Sequence, residues 1–249
     1  MKIIALDSSG LVASAAVMEI GEGVAEDRLL AEYTVQHKKT HSQTLLPMLA
    51  EIMKMADTEP KDIGAVAVAK GPGSFTGLRI GSATAKGLGL ALGIPLIEVS
   101  TLEALALNLP LSSGLVCPIM DARRGQVYSG IYRADGQEMR QVREDKPISV
   151  EELAAEIEAL PSEMTAGGVY FLGDGVPVYR GVIDGALHLP HEYGPAGTNR
   201  QRAALVGLCA VGKWKRGETV SAAAHVPTYL RKSQAERERE ERAAKEGTD

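Results

Sequence analysis

Apolar positions in this chain fall into short, dense runs parted by glycine, proline and polar turns. Lys2–Leu6 suits a buried strand and ends in the turn Asp7-Ser8-Ser9-Gly10. Val12–Ile20 and Leu29–Gln36 follow as further strands. The period then changes, and Leu45, Leu49, Ile52, Met53 and Ala56 share one face of a helix that starts at Thr40 or Ser42. Pro47 removes one early hydrogen bond from that helix and bends its first turns. Ala65–Ala69, small and β-branched, fits a strand buried on both faces, which Gly71-Pro72-Gly73 breaks. A second helix begins near Gly77, capped by Ser74 or Thr76, and stops at Gly93 before Pro95. Leu96–Val99 is a strand, and the Thr101 hydroxyl suits the N-cap of the next helix.

The same order then begins again. Leu115–Met120 is an apolar strand ending in Asp121, as Lys2–Leu6 ended in Asp7. Arg123-Arg124-Gly125 makes a turn, and Gln126–Tyr132 and Glu138–Val142 complete three strands. Val150–Leu160 is a helix capped by Ser149, with Glu151 and Glu152 favourable in its first turn. Val169–Leu172 leads to Gly173-Asp174-Gly175, in the place held earlier by Gly71-Pro72-Gly73. Helices near Val178–Leu187 and Gln201–Lys215 finish the pattern. Two β-β-β-α-β-α units predict an α/β chain with the actin-like, sugar-kinase-like (ASKHA) fold, which holds nucleotide in the cleft between its halves. The halves are expected at residues 1–110 and 111–232, with 233–249 a flexible tail, since that stretch is dominated by Glu and Arg and has no apolar stripe.

The glycine region carries the first candidate chemistry. A buried strand, a glycine turn and a helix N-terminus form a common phosphate-binding unit, because unpaired N–H groups converge there. A Walker A loop is excluded, since Gly77-Leu78-Arg79 stands where Gly-Lys-Ser/Thr is needed. Gly71, Gly73 and Gly77 also miss the dinucleotide spacing. A tight turn that binds nothing accounts for the same residues. The helix is less ordinary. Gly77, Gly81, Ala85, Gly89 and Gly93 recur every fourth residue, with Gly87 in addition. Each interior glycine costs about 1 kcal/mol relative to alanine, so close packing of backbone must offset the loss. The stripe drifts about 40° per step around the helix. Part of it is therefore expected to pack within the subunit and part to face another chain.

Length and composition bound the rest. The 249 residues allow one large domain or two of about 110 residues each. Trp214 is the only tryptophan, and Phe75 and Phe171 the only phenylalanines, so small residues must supply most of the cohesion. A net charge of −5 argues against the whole surface gripping nucleic acid. Cys117 and Cys209 sit in apolar runs and read as buried thiols of a reducing compartment. Asp7 interrupts the first apolar run, so no signal peptide is expected, and no stretch approaches the roughly 18 apolar residues that span a bilayer. A cytoplasmic location follows as an expectation.

MKIIALDSS at Met1–Ser9, HSQTLLPML at His41–Leu49, GPGSFTGLRIG at Gly71–Gly81, MDARRGQVY at Met120–Tyr128, GDG at Gly173–Gly175 and PTYLR at Pro227–Arg231 together resemble the TsaB (YeaZ) family. The resemblance covers nearly all of the chain apart from the charged tail, and the GPGSFTGLRIG block is its most specific part. It implies a catalytically silent paralogue of TsaD, which carries metal and transfers threonylcarbamoyl to the adenosine beside the tRNA anticodon. It implies docking on TsaD, or on a second copy when TsaD is absent, with a TsaE-type ATPase and tRNA met only through the complex and no membrane partner. The docking face would be the bent helix with Leu45 and Leu49 and the glycine helix with Gly77, Gly81, Ala85 and Gly89. In TsaD a His-x-x-x-His metal pair follows the glycine helix, just after the next strand. Here that place reads Val99-Ser100-Thr101-Leu102-Glu103-Ala104-Leu105, and neither Thr101 nor Leu105 can replace an imidazole. No metal site and no required cofactor are expected.

Other constellations have plainer readings beside them. His37 and His41 form a His-x-x-x-His, but Lys38 and Lys39 between them oppose a cation and no carboxylate follows closely. Asp7 and Asp121 sit where actin-like ATPases position Mg²⁺ and attacking water, yet both also suit turn formation. Ser8-Ser9 only approximates the kinase turn and Ala122-Arg123 departs from it. A degenerate cleft of Asp7, Ser8, Ser9, Gly71, Gly73, Asp121, Gly173 and Gly175 leaves room for weak nucleotide binding. Ser74 and Ser82 could be nucleophiles, but no histidine has a motif relation to either. Lys70, Arg79, Arg123 and Arg124 could meet phosphate or an acidic surface, or simply face solvent. The alternative function is an autonomous actin-fold enzyme, a small-molecule kinase or a metal-dependent carbamoyl transferase, which would need tight Mg-nucleotide or metal binding.

Overall fold

The computed structural model describes residues 1–23, 26–37, 40–109, 113–135 and 138–231. The tail expected at 233–249, and Lys38 and Lys39, lie outside the described residues.

Five strands form the first sheet. β1 (Lys2–Asp7) pairs antiparallel with β2 (Ala13–Glu19), which pairs antiparallel with β3 (Arg28–Val35). Helix α1 (His41–Met55) leads to β4 (Ile63–Gly71), parallel to β1, and α2 (Phe75–Leu92) leads to β5 (Leu96–Ser100), parallel to β4. Helix α3 (Thr101–Ala106) closes the unit. The second sheet takes β6 (Leu115–Arg123), β7 (Gln126–Asp135) and β8 (Glu138–Ser149). Then come α4 (Val150–Glu158), the short α5 (Ser162–Thr165), β9 (Val169–Leu172), α6 (Val176–Ala186), β10 (His191–Tyr193) and α7 (Ala203–Lys215). The sheets run β3-β2-β1-β4-β5 and β8-β7-β6-β9-β10, one order used twice. This is the duplicated actin-like, sugar-kinase-like arrangement.

Strand periodicity sorts the apolar side chains into three layers. Ile4, Leu6, Val66 and Val68 face α1 and α2 with Leu45, Leu49 and Ala85. Their neighbours Ile3, Ala5, Ala65 and Ala67 face the other way, into a central layer with α3 and α7. A third layer joins Leu115, Cys117, Ile119 and Phe171 to α4 and α6. Helix α7 belongs to the second half in chain order, yet it packs on β1 and β2 of the first sheet and on α3. Both cysteines are free and buried, and burial pushes the Cys117 thiol up to about 12. Among the described residues no helix is long and apolar enough to cross a membrane.

Several boundaries differ from the sequence expectation. Helix α2 starts at Phe75, because the Ser74 hydroxyl accepts from the Gly77 N–H at 3.3 Å. Ser100, not Thr101, caps α3: its Oγ accepts from the N–H groups of Leu102 and Glu103, while Thr101 turns into the core. Strand β8 runs on to Ser149, and β10 was not anticipated.

Candidate functional site

The turns after β1 and β6 face each other across a cleft of about 590 Å³, with Ser9, Gly73, Asp121 and Asp174 in its walls. The two acidic turns are built alike. Asp7 Oδ1 accepts from the Ser9 N–H at 2.8 Å, and Asp121 Oδ1 accepts from the Arg123 N–H at 2.8 Å. Each carboxylate thus closes its own turn two residues on, the structural role such residues commonly play. The glycines match as well. Gly71 has φ +124° and Gly173 φ +112°, backbone that favours glycine, and each crowds a carbonyl oxygen, of Thr228 and of Ile119.

Asp7 lies behind the cleft wall and is buried. Burial raises its pKa from 3.8 to about 6, against the opposing pull of the Ser9 hydrogen bonds and of His41. Its Oδ2 has no protein partner. Burial also raises the Asp174 carboxyl, which accepts from the Asp121 N–H at 3.1 Å. Asp121 further accepts from the Tyr179 hydroxyl at 3.2 Å and pairs with Arg123 at 3.2 Å.

Two donors of the expected anion cradle at the start of α2 are already taken by protein. The Ser74 N–H donates to the Ser9 carbonyl at 2.7 Å, and the Gly77 N–H is taken by Ser74. The Ser8 hydroxyl donates to the Gly77 carbonyl at 2.8 Å. These contacts join the β1 turn to the glycine loop and spend donors that a phosphate would use.

The glycine stripe also turns inward. Gly77, Gly81, Ala85 and Gly89 are all buried within the subunit. A β-carbon at Gly81 would stand 2.6 Å from Ser8 Oγ, and one at Gly89 would stand 2.9 Å from the Ala222 β-carbon. The stripe does drift round the helix, and its partners drift with it from the β1 turn to the segment beyond α7, until Gly93, the C-cap, meets solvent. Leu45 and Leu49 are likewise buried. These six residues, expected at a docking face, are therefore core residues. The side of α1 and α2 that meets solvent carries others: Leu46 is 52 % and Leu90 67 % exposed, and Ala83 and Gly87 on α2 are exposed as well.

His41 does not join His37 at a metal; its Nε2 bonds the Gly10 carbonyl at 2.9 Å. Thr101 and Leu105 are buried in the core. Among the described residues no group of three His, Cys, Asp or Glu side chains is placed to hold a metal ion.

A family model described as TsaD, tRNA N6-adenosine threonylcarbamoyltransferase, matches residues 28–239. The Bacillus subtilis tRNA threonylcarbamoyladenosine biosynthesis protein TsaB is 36 % identical over 236 residues, covering 95 % of this chain and 96 % of that protein. The chain belongs to the TsaB family. The Escherichia coli TsaB is 37 % identical over 137 residues, 54 % of this chain and 56 % of that one. A Pseudomonas aeruginosa crystal structure, described as an uncharacterized protein with similarity to peptidase YEAZ, superposes with a TM-score of 0.78. It is 29 % identical, over 92 % of this chain and 99 % of that one.

One constellation in this TsaB-family chain escaped sequence reasoning. Ser82 on α2 lies 2.9 Å from His225 Nε2, and His225 Nδ1 lies 2.7 Å from Glu98 on β5. The ring thus spans the two side chains, with Nδ1 on the carboxylate and Nε2 on the hydroxyl. The order serine, histidine, acid is that of a hydrolase triad. Yet Ser82 and His225 are only 4 % and 1 % exposed and lie outside the cleft lining, so no substrate carbonyl can reach the hydroxyl. Residues 143 positions apart show no local signal, and only the fold brings them together.

Proposed function

We propose that this chain is a non-catalytic subunit in the transfer of a threonylcarbamoyl group to N6 of the adenosine beside the tRNA anticodon, and that it binds a TsaD-type catalytic subunit. The names of its relatives support the pathway. The solvent-facing side of α1 and α2 supports the binding role. A β-carbon on Gly87 would meet nothing within 4 Å, so this mid-helix glycine has no packing reason inside the subunit. It costs about 1 kcal/mol against alanine. Flanked by exposed Leu90 and Ala83, it leaves room for a neighbouring helix to approach closely. Two helices per partner can bury a standard interface of about 1,600 Å². When the catalytic subunit is absent the same face pairs with a second copy. A TsaE-type ATPase and tRNA are met through the assembly, in the cytoplasm.

The silence of this chain's own cleft is supported by the two glycine-loop donors that protein groups use, the Ser74 N–H on the Ser9 carbonyl and the Gly77 N–H on the Ser74 hydroxyl. The test is to co-purify the chain with its TsaD counterpart and assay tRNA modification with each subunit left out, alongside calorimetry with ATP and metal analysis of the chain alone. Modification is expected only with both subunits present. Turnover by the isolated chain, or a tightly held divalent ion in it, would instead make it an autonomous enzyme.

A further inference from the structure

The segment that follows α7 makes a chain of contacts with one ridge of α2 and then leaves it for the other half. Val220 and Leu96 exchange two backbone hydrogen bonds of 2.9 Å, and the chain then runs antiparallel to α2. Ala222 seats on Gly89. Lys86 Nζ donates to the carbonyls of Ala223 at 3.3 Å and His225 at 3.0 Å. Ser82 and Glu98 hold the His225 ring from both sides. The Thr228 N–H donates to the Lys70 carbonyl at 2.7 Å. Tyr229 packs on Phe75 with ring centroids 4.7 Å apart and accepts from Arg79 Nε at 3.3 Å. The α2 positions used, 75, 79, 82, 86 and 89, are spaced four, three, four and three, which is one face of a helix. Beyond Tyr229 the segment reaches the second half, where Arg231 Nη1 donates to the Ala122 carbonyl at 2.5 Å.

We propose that residues 220–231 are a tie that holds the two halves at one separation across the cleft, latched to the first half by Ser82–His225–Glu98 and to the second by Arg231. The two halves share the central layer, in which Val116, Met120 and Leu172 of the second pack with Ile3, Ala5 and α3 of the first, and lobes packed on one layer can still hinge about it. Thr228, Tyr229, Leu230 and Arg231 line the cleft itself, so a hinge motion that widened it would have to break their contacts. The tie adds a fastening at the cleft to the core that the two lobes share. It also explains a triad-like cluster with no access for substrate: the histidine is there to be held, with both ring nitrogens used.

The test places spin labels on Glu59→Cys in the first half and Glu163→Cys in the second, both exposed positions, in the full chain whose own cysteines are buried. A single narrow distance distribution is expected in the parent, broadening in Arg231→Ala and in His225→Ala. Amide exchange of residues 226–231 should quicken at least tenfold in His225→Ala. Should His225→Ala not fold, His225→Gln and Arg231→Ala carry the same comparison, the second touching only an edge carbonyl. A lowered melting temperature with an unchanged distance distribution in Arg231→Ala would overturn the tie.

Discussion

The backbone of Gly77 lies so close to the Ser8 carbonyl that a β-carbon there would stand 2.0 Å from that oxygen. No side chain can move aside, because the obstacle is main chain. Gly77→Ala is therefore expected to cost about 3 kcal/mol, near the upper end for overpacking. Gly87→Ala, ten residues along the same helix and open to solvent, should gain about 0.5–1 kcal/mol. Urea unfolding of the two variants beside the parent measures both, and equal effects would contradict this packing of α2.

Association should respond to a different set of residues from stability. Ala83→Arg adds a charge to the exposed side of α2 and leaves the core alone. It is expected to weaken pairing with a TsaD-type subunit, and self-pairing, by more than tenfold, with the far-ultraviolet circular dichroism unchanged. Gly81→Trp should instead fail to fold, since its side chain would be driven into Ser8 and Val68. Sedimentation of each variant with and without the partner separates the two outcomes.

Ser82 is expected to behave as a structural hydroxyl. A fluorophosphonate probe should leave it unlabelled, as mass spectrometry would show. Ser82→Ala removes a buried partner of His225 and should cost about 1–3 kcal/mol in urea unfolding. Labelling at Ser82 in the folded protein would mean that the segment around His225 opens far enough to admit substrate.

Asp7 gives the chain a pH dependence with a definite sign. Its folded-state pKa is raised from 3.8 to about 6, so the folded state holds the proton more tightly than the unfolded one. The contribution is whole below about pH 3.8 and is lost as the pH climbs through about 6. At 1.36 kcal/mol per pH unit that amounts to about 3 kcal/mol. Asp7→Asn keeps the acceptor for Ser9 and removes the titration. Its stability relative to the parent should therefore rise between pH 4 and 7, read from urea midpoints across that range. A constant difference would show that Asp7 does not titrate there.

Much of the fold was legible because its strands are written in the residues that face both ways. Ala65, Ala67 and Ala69 alternate with Val66 and Val68, and both sets are buried, so a dense apolar run was enough to place β4. β10 was not legible: His191-Glu192-Tyr193 has no apolar run, and its place is set by pairing with β9. β8 was cut short at Val142 because Arg143, Asp145 and Lys146 look like loop. In the fold Asp145 accepts from Tyr132 and Ser100, and Arg143 and Lys146 meet Glu156. The cleft glycines and the paired acidic turns were visible as spacing. The side of α2 that each glycine faces was not, because a four-residue repeat gives the drift of the stripe without naming what it drifts against.

The crossing of α7 onto the first sheet bears on how the molecule is born. Residues 2–100 can hydrogen-bond into their sheet as they leave the ribosome, but the surface that Ile3, Ala5 and Ala16 present stays bare until residues 203–215 arrive. Synthesis at 5–20 residues per second leaves that greasy plane uncovered for several seconds or more. The nascent polypeptide is thus most prone to stick to its neighbours in mid-translation, and a gene cut anywhere before codon 215 should yield a product that a chaperone or a protease claims first.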